Sequence, residues 1–332
     1  MTSIEHIGIV GAGAWGTALA AAAARAGRSV TLWAREEDVV VSINDARENA
    51  RFLPGIALDA AITASGDMAV LGSADLILLA TPAQHLRAAA ADFTGELKGA
   101  APLVICAKGV ELKSGALMSE VVREVVSDRP LAVLSGPTFA AEVARGLPSA
   151  VTLAVADNAL GEAIAAALGG ATFRPYLSDD MIGAQIGGAL KNVMAIAAGI
   201  AIGRGLGENA RAAIMTRGFA EMVRLARAKG ARLETLAGLS GLGDLVLTCS
   251  SSQSRNFSLG VALGQGESLA DILGARDSVA EGVTSAPAIV ALGKNLSVDL
   301  PITEAVDAVL HQGADIGETI AALLSRPFRP EF

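Results

Sequence analysis

The first half of the chain alternates short apolar runs with alanine-rich or amphipathic stretches. Apolar runs of this length, bounded by Gly, Pro or polar residues, predict β-strands, and the alanine-rich stretch at 17–26 predicts a helix that ends at Gly27. Alternation of strand and helix is typical of a mostly parallel sheet with helices on both faces and ligands at the carboxyl ends of the strands. The predicted strands are residues 6–10, 29–34, 74–80, 103–107, 131–134 and 150–155.

The pattern changes near residue 180, after which apolar residues recur at helical spacing and no convincing strand is found. We therefore predict an α/β protein of two domains, a doubly wound sheet domain at 1–180 and an all-α-helical domain at 181–332. Segments 204–207 and 250–254 have the composition of loops. The predicted helices of the second domain are 178–201, 210–229, 268–273, 285–294 and 301–312.

The composition is apolar without being typical of a membrane protein. Mean hydropathy is +0.49 and 52% of the residues are hydrophobic, but the excess is largely Ala and Gly. The longest uncharged run, 7–24, is interrupted by glycines and has no Lys or Arg before it, so we expect neither a membrane span nor a signal peptide. The sequence predicts a soluble, cytoplasmic protein.

The net charge and the cysteine content limit the classes of partner and the compartment that we expect for this protein. A net charge of -8 argues against a general nucleic-acid surface, so any phosphate must be bound in a local pocket, and we expect a small-molecule partner. Cys106 and Cys249 are too few for a disulfide framework and have no second Cys or His at metal-ligand spacing. A reducing compartment is expected, and no metal site is predicted.

A glycine-rich turn follows the first predicted strand. It reads Gly-Ala-Gly-Ala-Trp-Gly at 11–16, which is the G-x-G-x-x-G pattern in the strand, turn and helix context that dinucleotide binding requires. Gly11 would permit the tight turn, Gly13 would let backbone amides approach a diphosphate, and Gly16 would allow close helix packing. We therefore predict a Rossmann-like domain that binds NAD or NADP. The alternative is a packing turn in a glycine-rich chain.

The end of the second strand bears on cofactor choice. Sites that select NAD place Asp or Glu there, whereas this chain reads Leu-Trp-Ala-Arg at 32–35. Arg35 could meet the 2′-phosphate of NADP or stack on adenine, although Glu36 and Glu37 could contact a ribose hydroxyl. NADP is favoured on this basis, and the alternative is that Arg35 is a solvated loop residue.

One lysine stands alone in a predicted apolar helix. Lys191 is the only charged residue between Met181 and Gly203. A buried amine is costly unless it has a partner, and burial tunes its pKa toward proton transfer. Lys191 is therefore a candidate proton donor and acceptor, unless the helix reaches the surface there and the side chain extends to solvent.

Two further polar residues follow predicted strands of the first domain. Lys108 comes directly after the strand at 103–107, on the expected ligand edge, where a cation can meet phosphate or a substrate oxygen. Thr138 offers a hydroxyl in the Gly-Pro loop after the strand at 131–134. A surface lysine and an ordinary turn are the alternatives.

The helical domain holds the remaining candidates. Asp244 is the only charge in 238–247, and it is either a partner for Lys191 or a helix N-cap. The segment at 250–256, Ser-Ser-Ser-Gln-Ser-Arg-Asn, collects hydroxyl, amide and guanidinium donors that suit a phosphate, with Arg255 able to bind two oxygens at once. The alternative for this segment is a polar surface loop.

Six segments occur in the order found in one enzyme family. The chain resembles the bacterial NAD(P)-dependent glycerol-3-phosphate dehydrogenases over nearly its whole length. The last four segments are specific, because the wider superfamily shares the nucleotide loop but not this combination in the helical domain. The segments are GAGAWGTALA, CAKGVE, SGPTFAAEVA, GGALKNVMAIAAGI, GLGDLVLTCSSSQSRN and PITEAV.

The resemblance implies reversible reduction of dihydroxyacetone phosphate to sn-glycerol 3-phosphate for glycerophospholipid synthesis, with Lys191 as the general base and a homodimer as the assembly. The implied substrate positions are Lys108, Gly136, Thr138, Lys191, Asp244, Ser254, Arg255 and Asn256. Asn192, which is next to Lys191 in the sequence, is a further candidate for substrate binding. The implied cofactor positions are Ala14, Trp15, Arg35, Lys108, Ala140, Arg255, Val279 and Glu281, beside the loop glycines Gly11, Gly13 and Gly16.

Two other functions are compatible with the same nucleotide loop. One is a reductase of the same two-domain architecture that acts on a hydroxy acid or an acyl carrier. The other is a nonenzymatic module that binds NAD(P) and changes a partner interaction without turnover. The isolated charges at Lys191 and Asp244 argue against the second, because a sensing module does not need them.

Overall fold

The structure is a computed structural model that describes residues 3–94, 101–275 and 280–328. All strands of the described residues lie before residue 180, where the apolar pattern predicts the change to helices. They are β1 His6–Val10, β2 Ser29–Trp33, β3 Glu48–Asn49, β4 Leu53–Ala57, β5 Ile62–Ser65, β6 Leu76–Leu79, β7 Leu103–Ile105, β8 Leu131–Ser135, β9 Ser149–Val155 and β10 Phe173–Ser178.

Eight of these strands form one sheet in the order β10-β9-β8-β7-β6-β1-β2-β5. Neighbours from β5 to β8 are parallel, β9 runs antiparallel to β8, and β10 is parallel to β9. Strands β3 and β4 form a separate antiparallel hairpin. The predicted mostly parallel, doubly wound sheet is confirmed, and the antiparallel pairing of β8 with β9 is an addition to it.

Helices cover both faces of the sheet. Within β6, Leu76 and Leu78 pack into the core on one face, while Ile77 and Leu79 pack into the core on the other. A strand that is buried on both faces has to be apolar throughout, which is why the central strands appear as continuous apolar runs. The helices of this half are α1 Ala14–Arg25, α2 Glu37–Asp45, α3 Leu86–Thr94, α4 Met118–Val125, α5 Ala140–Ala144 and α6 Asn158–Leu168.

Two strands of the main sheet were not predicted from the sequence. Strand β10 contains Arg174 and Pro175, and both it and β5 lie at an edge of the sheet. Edge strands pair on one side only, so they tolerate proline and polar residues that would be excluded from a central strand. The composition of these segments therefore resembles that of loops.

The second half of the described chain is helical, which confirms the prediction. Helix α7 is its centre and packs against α8, α10, α11, α13 and α14. The helices are α7 Met181–Gly203, α8 Gly207–Ala228, α9 Leu233–Ala237, α10 Asp244–Ser250, α11 Arg255–Gln265, α12 Leu269–Gly274, α13 Glu281–Asn295, α14 Pro301–His311 and α15 Ile316–Leu324.

Helix α7 has the length and apolarity of a membrane span, but 83% of its most apolar window is buried inside the protein. Its neighbours supply the apolar surroundings that a bilayer would otherwise provide. The composition of α7 is therefore accounted for by its place at the centre of the helical half.

Helix α13 begins at Glu281, four residues before the predicted start at 285, and contains Pro287 within it. Proline has no N–H to donate to the carbonyl one turn earlier, at Val283. The Nε2 atom of His311 on α14 lies 2.9 Å from the Val283 oxygen and donates to it instead. This replacement hydrogen bond is a long-range contact, so the sequence pattern gives no sign of it.

Candidate active site

Three charged side chains meet where the sheet domain contacts the helical domain. Lys191 lies in the middle of α7, Asp244 is the first residue of α10, and Lys108 follows β7. The Lys108 Nζ atom is 2.6 Å from Asp244 Oδ2, and the Lys191 Nζ atom is 3.0 Å from Asp244 Oδ1. One carboxylate therefore joins two ammonium groups, and the proposed pairing of Lys191 with Asp244 is present with a second lysine added.

This cluster is buried. Asp244 is 0% exposed and Lys191 is 8% exposed, so the Lys191 side chain does not extend to solvent. The N-cap of α10 is Gly243, and the Asp244 carboxylate faces the lysines instead of capping the helix. The two structural alternatives, a solvated lysine and a helix N-cap, are both wrong.

Glycines on α7 make room for the cluster. A Cβ at Gly187 would lie 2.3 Å from the Ser240 oxygen, and one at Gly188 would lie 3.3 Å from Lys108 Cγ. The turn before α10 and the stem of Lys108 can therefore pack directly on the helix backbone, one turn before Lys191. This close approach brings Asp244 and Lys108 to the same place.

Thr248 completes the cluster and was missed at the sequence level. Its hydroxyl donates to Asp244 Oδ1 at 3.1 Å and accepts from Lys191 Nζ at 3.0 Å. Thr248 stands one helical turn after Asp244, on the same face of α10. That spacing is the only sequence signal of its position, and it is shared by many ordinary helix residues.

The environment of Lys191 lowers the pKa of its amine below the ordinary lysine value. Burial is the main cause, the nearby Lys108 ammonium acts in the same direction, and the Asp244 carboxylate opposes them. Burial alone would raise the pKa of Asp244, but Lys108 and Lys191 outweigh it, so the pKa of this carboxyl is below its ordinary value. The cluster therefore holds a firmly ionised acid beside a lysine that gives up its proton more easily than usual.

A set of polar groups gathers where α11 begins. Ser254 is the N-cap of α11, with its hydroxyl accepting from the Phe257 backbone N–H, and Arg255 is an exposed residue in the first turn. Asn256 is buried, donates to Asn192 Oδ1 at 2.9 Å and accepts from the Gly282 N–H at 2.9 Å. Asn192 follows Lys191 on α7, so this bond connects the start of α11 to the lysine cluster.

The glycine-rich loop has the shape that its sequence predicts. Gly11 has φ +110°, and a Cβ at Gly16 would lie 1.9 Å from the Gly11 oxygen, so neither position accepts a larger residue. No atom of the described structure lies within 4 Å of a Cβ placed at Gly13. Helix α1 then begins with Ala14 and Trp15, has no acidic residue in its first turn, and has no side-chain cap within the described structure. Its first amides are therefore open to an anion.

Other positions implied by the resemblance lie near the lysine cluster or in the domain of the glycine-rich loop. The Gly136 carbonyl accepts from Lys108 Nζ at 2.9 Å, and Thr138 donates to the same oxygen at 3.3 Å. Ala140 is the first residue of α5, which packs on α1. Arg35 lies apart from the lysine cluster after β2, with a 78% exposed side chain that pairs with Glu36 at 3.2 Å.

Glu281 starts α13 and is close to the lysine cluster. Burial raises the pKa of its carboxyl, while Arg255, Lys191 and Lys108 lower it, as does a hydrogen bond from the Ala83 backbone N–H. That hydrogen bond joins the helical domain to the sheet domain. Val279, the other expected cofactor position nearby, lies outside the described residues.

The cysteines do not take part in this site. Cys106 and Cys249 are both buried and form no disulfide, and burial raises the pKa of each thiol above its ordinary value. Among the described residues, no group of three or more His, Cys, Asp or Glu side chains is arranged to hold a metal ion.

A sheet domain with a dinucleotide loop, joined to a helical domain that holds a buried lysine cluster, defines a dinucleotide-dependent oxidoreductase. Models of the N-terminus and C-terminus of NAD-dependent glycerol-3-phosphate dehydrogenase match residues 6–161 and 180–321. The chain belongs to this family.

Curated relatives match the chain over its full length. It is 59% identical to the glycerol-3-phosphate dehydrogenase (NAD(P)+) of Caulobacter vibrioides, with 99% of each chain covered. It is 58% identical to the enzyme of the same name from Rhodospirillum rubrum, covering 99% of this chain and 94% of the relative. The crystal structure of glycerol-3-phosphate dehydrogenase from Coxiella burnetii is similar at a TM-score of 0.94 and 38% identity, covering 97% of this chain and 99% of that one.

Proposed function

We propose that the protein catalyses the reversible reduction of dihydroxyacetone phosphate to sn-glycerol 3-phosphate with NADPH or NADH. The observation that carries the proposal is the buried cluster in which Asp244 holds Lys108 and Lys191. Two buried ammonium groups suit a reaction in which negative charge develops on a substrate oxygen. Relatives that are 59% and 58% identical carry the name of this activity.

When bound, the nicotinamide supplies the hydride that adds to the ketone carbon. As the C=O π bond breaks, negative charge grows on the oxygen, where Lys191 stabilises it and transfers one proton from Nζ. In the reverse direction neutral Lys191 accepts the hydroxyl proton, and burial favours that neutral form. Asp244 and Thr248 orient the amine, since both contact Nζ at 3.0 Å.

The phosphate of the substrate is assigned to the start of α11. Arg255 provides a guanidinium, Ser254 a hydroxyl and the helix N-terminus its first amides. Asn256 holds the start of α11 against α7 through its hydrogen bond to Asn192. Binding energy from the phosphate would position the ketone carbon, since it comes from a part of the substrate that does not react.

The loop at 11–16 fits a dinucleotide diphosphate. The open space at Gly13 and the uncapped start of α1 leave backbone amides for an anion, and Ala14 and Trp15 occupy the first turn. NADP is favoured over NAD because β2 is followed by Ala34 and Arg35 instead of an acid, and the exposed Arg35 guanidinium suits a 2′-phosphate. Ala140 and Glu281 are assigned to the cofactor as well.

Three broader assignments accompany this function. The domain division is placed between residues 180 and 181, in the short link between β10 and α7. The cytoplasm is the proposed location, supported by two buried free cysteines, and the product would supply glycerophospholipid synthesis. A homodimer and the absence of nucleic-acid partners stay predictions from the resemblance and from the net charge of -8.

The test is a turnover assay that follows NADPH oxidation with dihydroxyacetone phosphate. We expect rapid oxidation with this substrate, little with unphosphorylated dihydroxyacetone, and little with 2-keto acids. Preference for a keto acid would favour the alternative reductase, and NADPH binding without turnover of any ketone would favour a sensing module. Repeating the assay with NADH measures the cofactor preference.

A further inference from the structure

A buried asparagine from outside the glycine-rich loop contacts the loop directly. Asn49 ends β3 and is 0% exposed. Its Nδ2 group donates to the Ala12 carbonyl and to Thr17 Oγ1, both at 2.8 Å, and its Oδ1 atom accepts from the Phe52 N–H at 3.0 Å. Both amide hydrogens and the amide oxygen are therefore in use.

The contact at Ala12 bears on how the loop meets an anion. Ala12 stands between Gly11 and Gly13, and its carbonyl shares one rigid trans peptide plane with the Gly13 N–H. In such a plane the carbonyl and the N–H point in opposite directions. A bond that holds the carbonyl toward Asn49 therefore turns the Gly13 N–H away from it, and a Cβ at Gly13 would meet no protein atom within 4 Å in the described structure.

Asn49 is itself held in place by its surroundings. The Ser42 hydroxyl on α2 donates to the Glu48 carbonyl at 2.6 Å and accepts from the Ala50 N–H at 3.2 Å. Glu48 also accepts from the Gly55 N–H across the hairpin at 2.7 Å. The hairpin of β3 and β4 is thus fixed on α2, and it presents the Asn49 amide to the loop.

We propose that Asn49 is a positioning residue for cofactor binding, which orients the peptide between Ala12 and Gly13 so that the Gly13 N–H meets the diphosphate of NAD(P). The proposal rests on the function proposed above. The role requires an amide, because the same side chain donates twice and accepts once. A carboxylate at this position would place an oxygen against the Ala12 carbonyl.

The test compares NADPH with a fragment that lacks both the diphosphate and the nicotinamide half. We would measure the Kd of NADPH and of adenosine 2′-phosphate for the unaltered protein and for Asn49→Ala, together with KM and kcat for NADPH. We expect NADPH to bind about tenfold more weakly, corresponding to the loss of one well-placed hydrogen bond, with adenosine 2′-phosphate changed less than about twofold. The effect should appear in the KM for NADPH and not in kcat.

Asn44→Ala is the matched control. Asn44 lies on α2 in the same domain, and its amide donates to the Ala64 carbonyl and accepts from the Ala64 N–H, both at 2.9 Å, without touching the loop. This variant should lose thermal stability while its affinity for NADPH is unchanged. If Asn49→Ala does not fold, Asn49→Ser provides the same comparison, because its shorter side chain cannot reach the Ala12 oxygen.

The outcomes separate the two proposals. Failure of the unaltered protein to bind NADPH would refute the proposed function itself. Unchanged NADPH affinity in folded Asn49→Ala would overturn only the role of Asn49. An equal loss of affinity for both ligands would also overturn the role of Asn49, because that result indicates a general loss of structure.

Discussion

The Lys108 ammonium group lies 2.6 Å from the Asp244 carboxylate, and this pair joins the sheet domain to the helical domain. Asp244 has a second cation at Lys191, so with both lysines protonated the buried cluster has one more positive than negative charge. A buried excess of positive charge is unfavourable until an anion arrives. Under the proposed function, this excess of positive charge would attract a developing oxyanion and favour release of the Lys191 proton.

Replacing Lys191 by Ala should remove turnover while leaving NADPH binding largely intact. The amine is the group placed to exchange a proton with the substrate oxygen, and general acid and base groups typically contribute about 100- to 10,000-fold in rate. We expect kcat to fall at least about 1000-fold, with the Kd of NADPH within about threefold of its original value. Near-normal turnover of dihydroxyacetone phosphate by this variant would refute the catalytic role of Lys191.

The pH at which the reaction rate changes should depend on the charges that shift the pKa of Lys191, which are Lys108, Asp244 and Glu281. Oxidation of glycerol 3-phosphate requires neutral Lys191, so its rate should rise with pH through an ionisation below the ordinary lysine pKa. Asp244 acts to raise the pKa of Lys191, so Asp244→Asn should move that rise to lower pH. A pH profile that keeps its midpoint in Asp244→Asn would contradict this assignment, whatever the loss in overall rate.

Arg255→Ala should mainly weaken the binding of substrates that carry a phosphate. Hydrogen bonds to charged groups contribute about 1.5–3 kcal/mol, which corresponds to a fall in kcat/KM of about 10- to 150-fold for dihydroxyacetone phosphate. The slow reduction of unphosphorylated dihydroxyacetone by the same preparation provides the comparison. An equal fall in kcat/KM for both ketones would mean that Arg255 does not bind the substrate phosphate, for instance because it contacts only the cofactor.

The pairing of Lys191 with Asp244 could be predicted from sequence because each charge stands alone in an apolar segment. Isolation of Lys191 and Asp244 implies burial, and two buried opposite charges imply pairing. The third member, Lys108, could be placed at the ligand edge of the sheet, but its bond to Asp244 spans 136 residues of sequence. Thr248 and Asn49 could not be identified at all, since a helical threonine and a hairpin asparagine have no distinguishing pattern of their own.

The fold was predictable for a related reason. The central strand β6 is apolar and buried at every residue, and β1 is apolar and buried after His6, whereas the edge strands β5 and β10 contain polar and exposed residues. The helices α10 and α11 were missed for a different reason. The sequence offers a helix start at Asp244 only as an alternative to ion pairing, and the Ser-rich segment 250–254 between the two helices has the composition of a loop. Local pattern is least informative where a ligand has to be bound.

A buried acid in the helical domain should make stability depend on pH. Glu221 on α8 accepts from the Ile302 N–H at 2.6 Å, from the Thr303 N–H at 3.1 Å and from the Thr303 hydroxyl at 2.8 Å. Burial raises the pKa of Glu221 to about 7, although these hydrogen bonds act to lower it. Because the folded pKa lies above the unfolded value, the native state holds the proton more tightly, and its stability should fall as pH rises from about 4.5 to about 7.

Urea unfolding at pH 5 and pH 8 measures this effect. The pKa shift of Glu221 corresponds to a loss of about 3 kcal/mol across the interval. Glu221→Gln should remove most of that difference, whereas Glu304→Gln, at an exposed position on α14, should leave it in place. The same pH dependence in Glu221→Gln as in the unaltered protein would exclude Glu221 as its source.

Gly260→Ala should destabilise the protein and weaken substrate binding together. A Cβ at Gly260 on α11 would lie 2.2 Å from the Ile196 carbonyl on α7, so the two helices would have to separate. Overpacking of this kind costs about 1–3 kcal/mol. Separation would also move Arg255 and Asn256 away from Asn192 and Lys191, which lie on the facing part of α7.

Gly274→Ala on α12 is the control, because a Cβ there meets no atom within 4 Å in the described structure and alanine favours the helix. We expect a lower Tm and a higher KM for dihydroxyacetone phosphate in Gly260→Ala alone; a lower Tm with an unchanged KM would mean that the helix crossing does not position the phosphate site.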